Sequence, residues 1–163
     1  MHDGPTPHLT WRELTTRRGT QGVDLPHLTD ALRRPLTRVA EVVEVLRAEY
    51  GRPVRVTCGL RHGQTKSQHG HGQAVDIQID GVTPLEAMQT LHDLAVAGRL
   101  PHALRQVIAE ARGTGIDEPM GKGSNRWLHI AVLGLDGEEY RKAHPSGLWW
   151  MSLDGESYTP RSM

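Results

Sequence analysis

Apolar residues recur at three- and four-residue steps over one stretch of the chain and at two-residue steps over three others. Leu32, Leu36, Val39, Val43, Leu46 and Tyr50 follow the first pattern, which predicts an amphipathic helix closing at Gly51. Pro35 either kinks that helix or marks its first turn. Upstream, Thr10-Trp11-Arg12-Glu13 has the form of a capping box opening a short helix. Residues 15–27 are polar with glycine and proline and read as loop. Thr83-Pro84-Leu85-Glu86 combines a threonine cap, proline at the first helical position and the glutamate of a box, so a helix is expected to about Gly98.

The two-residue pattern predicts strands over 53–58, 74–79 and 127–133. In the second, Ala74, Asp76 and Gln78 share one face and Val75, Ile77 and Ile79 the other. The apolar face belongs to the core, so Asp76 points toward a cleft or solvent. In the third, Trp127, His129 and Ala131 lie on one side, and Leu128, Ile130 and Val132 on the other. Residues 104–110 read as strand or helix, with Val107 and Ile108 favouring strand. Residues 59–72 and 111–125 are glycine-rich loops. A last segment, 138–158, carries Trp149, Trp150 and Tyr158. The two adjacent tryptophans would face opposite sides of a strand. With no internal repeat and no linker, the expectation is one domain over 1–163. Its class is α+β, a small antiparallel or mixed sheet carrying a site on one face and packed by helices.

Composition narrows the function classes. The 163 residues suffice for one core. Nineteen basic residues balance nineteen acidic ones, so net charge supports neither a nucleic-acid nor a membrane partner. No apolar run approaches the roughly 20 residues of a membrane span, and the N-terminus lacks the apolar region of a signal peptide. Synthesis in the cytoplasm without a signal peptide is therefore expected. The lone cysteine, Cys58, excludes an internal disulfide framework and reads as a small buried hydrophobe rather than a nucleophile. Ten histidines turn attention to metal or acid–base chemistry.

The stretch Ser67-Gln68-His69-Gly70-His71-Gly72-Gln73-Ala74-Val75-Asp76 holds two histidines and an aspartate. Seven residues separate His69 from Asp76, too many for one helical face but suited to a loop folding back over its strand. Imidazole and carboxylate suit zinc, and a catalytic zinc takes three protein ligands plus an open position. His129 is the third candidate; it shares a side with Asp76 if the two strands are neighbours. Each residue also has an ordinary reading: His129 as a core histidine, His71 as a loop histidine, Asp76 as a cap or turn acid.

These residues form a recognisable pattern. Ser67, His69, Gly72, Ala74 and Asp76 match a Ser-x-His…Gly-x-Ala-x-Asp signature, and Trp127-Leu128-His129 matches a second, in which a histidine follows an aromatic and an apolar residue. Thr57-Cys58-Gly59-Leu60-Arg61 stands where Ser-Gly-Tyr-Arg is usual, and Gln106-Val107-Ile108-Ala109-Glu110 matches part of a further strand motif. The opening 9–14 and closing 154–158 fit as well. The chain thus resembles the D-alanyl-D-alanine carboxypeptidase family of zinc peptidases, in its phage-associated branch, whose fold is shared with the hedgehog signalling domain. The resemblance implies a Zn2+ held by His69, Asp76 and His129 with water as fourth ligand. It implies hydrolysis of a peptide bond in the peptidoglycan stem or cross-link, at the bacterial cell wall, with a phage or tail-like particle as possible carrier. Arg61 would face the carbonyl oxygen or a substrate carboxylate, and Ser67, Gln68, His71 and Trp127 would line the cleft. The family's usual base, three residues before the last histidine, is replaced by Arg126, and Ala131 stands where an acid is common. Glu110 is the substitute base, or a solvated strand-end acid, with Asp117 and Glu118 as backups. The missing acids also leave open a zinc-binding module without catalysis, wall-binding or structural in a phage tail.

Overall fold

The computed structural model describes residues 2–113, 115–133, 149–152 and 159–160. Helix α1 (Trp11–Leu14) opens on a complete capping box: Thr10 accepts from the Glu13 N–H, and the Glu13 carboxylate accepts from the Thr10 N–H at 2.8 Å. A single 3-10 turn, Leu25–His27, interrupts the region expected to be loop. Helix α2 (Asp30–Tyr50) is capped by Thr29 and ends at Gly51 with φ 61°. Pro35 lies in its second turn rather than the first; the carbonyl it leaves without a helical donor belongs to exposed Ala31, where water can serve instead. Helix α3 (Pro84–Val96) begins as expected, with Thr83 Oγ1 accepting from the Glu86 N–H at 2.9 Å.

The strands are β1 (Arg55–Cys58), β2 (Ala74–Gln78), β3 (Leu104–Ala111), β4 (Arg126–Val132), β5 (Trp149–Ser152) and β6 (Thr159–Pro160). They form one sheet in the order β1-β2-β4-β3-β5-β6. The four-strand part β1-β2-β4-β3 is antiparallel, and β5 joins β3 in parallel, so the sheet is mixed. The architecture is α+β. Tyr158 and the segment 154–158 lie outside the described residues, as do most of 138–158.

The two sheet faces differ in chemistry. Val75, Ile77, Val107, Ala109, Leu128, Ile130 and Val132 form one core with Leu36, Val39, Val43 and Leu46 of α2 and Met88 and Leu91 of α3. Each alternate residue therefore turns to the opposite face, where Asp76, Ile108, Glu110 and His129 sit. That face is covered too: Asp76, Glu110 and His129 are all buried. Asp76 thus points into a cleft rather than into open solvent. Among the described residues, no helix is long and apolar enough to cross a membrane.

Candidate metal centre

Three chain segments deliver the histidines and the aspartate. Asp76 on β2 stands directly opposite His129 on β4, and His129 Nδ1 lies 2.9 Å from Asp76 Oδ1. The loop 59–72 is not wholly irregular, because Gln68–His71 forms a 3-10 turn. Ser67 caps it by accepting from the His69 N–H at 3.2 Å. Gly72 closes it at φ 67°, where a side chain would be strained, and a Cβ there would meet Leu32 O at 3.0 Å. The turn aims His69 back over β2, so that its Nε2 reaches Asp76 Oδ1 at 3.2 Å. One carboxylate oxygen thus faces a nitrogen from each imidazole.

The donors fit a cation. His69 Nδ1 lies 2.9 Å from the Gly59 carbonyl oxygen and donates its proton there, which fixes the tautomer and leaves the Nε2 lone pair toward Asp76. A lone pair and a carboxylate oxygen at 3.2 Å repel unless a proton or a metal lies between them. Nitrogen and oxygen donors in a buried, partly charged pocket suit zinc. In the metal-free protein a proton takes that place. Burial works against a charged His69, but the Asp76 carboxylate outweighs it and pushes the ring's pKa up to about 10. Burial likewise opposes the Asp76 charge, and His69 and His129 outweigh it, holding the carboxyl far below its ordinary range. An uncompensated buried carboxylate costs several kcal/mol; here Arg61 adds a third partner, its Nη2 3.6 Å from Asp76 Oδ2.

The cavity around these groups has a volume of about 130 Å³ and is lined by Arg61, Ser67, Gln68, His69, Asp76, Ile108, Glu110, Arg112, Trp127 and His129. Most residues expected at the site are therefore brought together. Glu110 stands opposite Trp127, and Ile108 opposite His129, so Glu110 is the next same-face residue of β3 beyond the His129 pair. It is buried, not a solvated strand-end acid. Gln68 does more than line the cleft: its Oε1 lies 2.9 Å from His129 Nε2. His71 is a correction. It is not among the residues lining the cavity, and its Nε2 lies 3.0 Å from the Thr65 carbonyl oxygen, because the 3-10 turn points it away from His69. Asp117 and Glu118 are also absent from the lining and exposed, with Glu118 3.3 Å from Arg126.

Cys58 is the residue that sequence reasoning missed. Alternation with Val54 and Val56 places it in the core, yet it is buried outside the core cluster that holds both valines. A β-bulge between Val56 and Cys58 shifts the register, so that Cys58 rather than Thr57 pairs with Asp76. Bulges re-aim side chains in this way, and no pattern in the sequence announces this one. The sulfur lies with ligand atoms of His69 and Asp76 in a group no more than 4.8 Å apart. It also accepts from Arg61 Nε at 2.9 Å.

A model of the family described as Peptidase M15 matches residues 7–94, just over half the chain. The matched span contains Arg61, His69 and Asp76 and ends before β3. No curated protein and no solved structure matches the chain significantly.

Proposed function

The chain belongs to the Peptidase M15 family, and from that premise we propose that it is a zinc-dependent metallopeptidase hydrolysing a peptide bond in the stem or cross-link of peptidoglycan. The supporting observation is the convergence of His69 Nε2 and His129 Nδ1 on Asp76 Oδ1, in one cavity with the buried Glu110. His69, Asp76 and His129 would hold the metal. Zinc, when bound, supplies a Lewis acid that acidifies a water and polarises the scissile carbonyl. Glu110 takes the proton of the attacking water and returns it to the leaving amine. Arg61, fixed between Cys58 and Asp76, contributes a positive charge for the carbonyl oxygen or a substrate carboxylate. Gln68 orients His129, and Ser67 holds the turn that carries His69.

The motif resemblance supports reading the protein as a phage-associated member of the family with the fold of the hedgehog signalling domain, the span 1–163 acting as one zinc peptidase-like domain. Its place of action is the bacterial cell wall, reached by way of a phage or tail-like particle. The test is reconstitution with one equivalent of zinc followed by incubation with purified peptidoglycan. Release of new amino groups, abolished by chelation and restored by zinc, is the expected result. Tight wall binding by the zinc-loaded protein with no amino groups released would instead identify a binding module. Arg126 favours that second reading, since it occupies the usual position of the base and is turned to the Pro119 carbonyl at 2.7 Å.

A further inference from the structure

A second, larger groove of about 860 Å³ runs from the metal centre along the end of β1, sharing Arg61, Asp76, Arg112 and Trp127 with the smaller cavity. Arg17, Arg18, Arg61 and Arg112 line it, and its single acidic wall residue is Asp76. Asp76 is already engaged by Arg61 and both imidazoles. Arg17 is likewise neutralised, by a two-pronged pair with the buried Asp24, 2.9 Å at each contact. Arg18 and Arg112 have no carboxylate partner among the described residues. In a chain with no net charge, two uncompensated guanidinium groups at one groove concentrate positive potential where a ligand would lie.

Arg18 is held there at a cost. It sits at the tip of a tight turn in which Arg17 and Thr20 exchange backbone hydrogen bonds at 3.0 Å. Its φ is 49°, and it is the one non-glycine residue in the left-handed region among the described residues. With Gly19 at φ 80°, the pair has the two positive φ values that a hairpin turn of this kind demands, positions where glycine or asparagine is usual. The Gly19 N–H then bonds the Thr57 carbonyl at 3.0 Å, tying the tip to β1. Backbone strain kept by a surrounding network points to a function for the residue that bears it. Across the groove, the Arg112 guanidinium lies 5.6 Å from the centre of the Trp127 ring, a cation–π contact that limits its freedom.

The geometry points to a carboxylate-binding subsite formed by Arg18 and Arg112, which selects peptides carrying an anionic group along the groove. This inference rests on the peptidase reading and specifies its substrate class. Arginine is suited to the task, because its planar fork donates N–H groups to both oxygens of a carboxylate.

The test uses the zinc-loaded full chain and three forms of the pentapeptide L-Ala-γ-D-Glu-L-Lys-D-Ala-D-Ala: unmodified, amidated at the glutamate α-carboxyl, and amidated at the C-terminus. Discrimination between forms is read as a ratio of kcat/KM where they are cleaved and as a ratio of Kd by calorimetry where they are not. A failure of hydrolysis therefore leaves the subsite measurable, and a failure of the subsite leaves hydrolysis intact. One amidation is expected to weaken the interaction about ten-fold, the contribution of a charge-assisted hydrogen bond, and to identify which carboxylate is read. Arg18→Gln with Arg112→Gln should abolish that preference, bringing the charged and amidated forms to the same kcat/KM or Kd. Arg18→Gln alone, at an exposed position, should reduce it with no loss of thermal stability. Equal handling of all three forms by the wild type, or a preference that survives in the double variant, overturns the inference.

Discussion

Asp76 and His129 face each other across β2 and β4, 53 residues apart in sequence, with Nδ1 and Oδ1 at 2.9 Å. The same oxygen faces His69 Nε2, so one carboxylate sets the direction of both rings. Asp76→Asn keeps the shape and removes the charge. Zinc affinity is expected to fall by at least about 100-fold, since weaker perturbations outside the ligand shell already cost that much. Competition with a chromophoric chelator measures it, and an unchanged affinity removes Asp76 from the ligand set.

Glu110→Gln tests the base. It leaves the three ligands in place, so zinc should bind with near wild-type affinity while kcat falls about 10²- to 10⁴-fold. Amino-group release from peptidoglycan reads the loss. Turnover at the wild-type rate would return the role of base to another group.

The His69 ring makes the metal-free protein sensitive to alkali. Its folded pKa of about 10 lies above the ordinary value of 6.5, so it contributes stability that is fully present below about pH 6.5. That stability is lost as pH rises toward 10. Asp76 works in the opposite sense: its depressed pKa contributes stability above the ordinary carboxylate value, lost as pH falls through acid. Zinc takes the position of the His69 proton, so binding should release a proton and strengthen as pH rises. Thermal melts with and without chelator should show the zinc-induced increment in Tm growing between pH 6 and 9. A constant increment would place the metal away from His69.

Cys58 tests which third residue completes the ligand set. Arg61 holds the sulfur at 2.9 Å, and His129 provides the donor opposite Asp76. Cys58→Ser should therefore lower zinc affinity by no more than about 10- to 100-fold, the scale of a supporting rather than a ligating group. In the cobalt-substituted wild type, the near-ultraviolet charge-transfer band of a cobalt–thiolate bond should be absent. Its presence would put Cys58 in the coordination shell.

Gly59 is needed for close backbone approach. A Cβ there would lie 2.0 Å from Leu14 O, at the point where the Gly59 and Leu60 N–H groups bond the Thr16 and Leu14 carbonyls. Gly59→Ala is expected to destabilise by about 1–3 kcal/mol, or about 2–4 °C in Tm per kcal/mol. It should also weaken zinc binding, because the Gly59 carbonyl orients His69. A stable variant with intact zinc affinity would contradict both expectations.

The parts of this site that were legible in the sequence are those governed by alternation. Asp76 and His129 each sit opposite an apolar run in a strand, and two such strands side by side bring them together. The capping box at Thr10 and Glu13 was legible for a similar reason, since its partners are three residues apart. What escaped depends on contacts between distant backbone segments. The Cys58 bulge is an irregularity in pairing, invisible in the β1 sequence alone. The Gln68–His129 contact, the Gly59–His69 contact and the turning away of His71 follow from a 3-10 turn inside a glycine-rich stretch. Residues 104–110 were ambiguous because their apolar run fits a buried strand or a buried helix, and only pairing with β4 on one side and β5 on the other decides between them.

The order of strands in the sheet bears on when the protein becomes active. β4 inserts between β2 and β3, so His129 reaches Asp76 only after every residue up to that strand has been made and docked. The loop 59–72, β1 and β2 can assemble earlier and carry two of the three proposed metal ligands, a pair that would bind zinc weakly at best. Catalytic competence would thus arrive late in folding, upon closure of a contact of high sequence separation, and a nascent or incompletely folded chain would lack it.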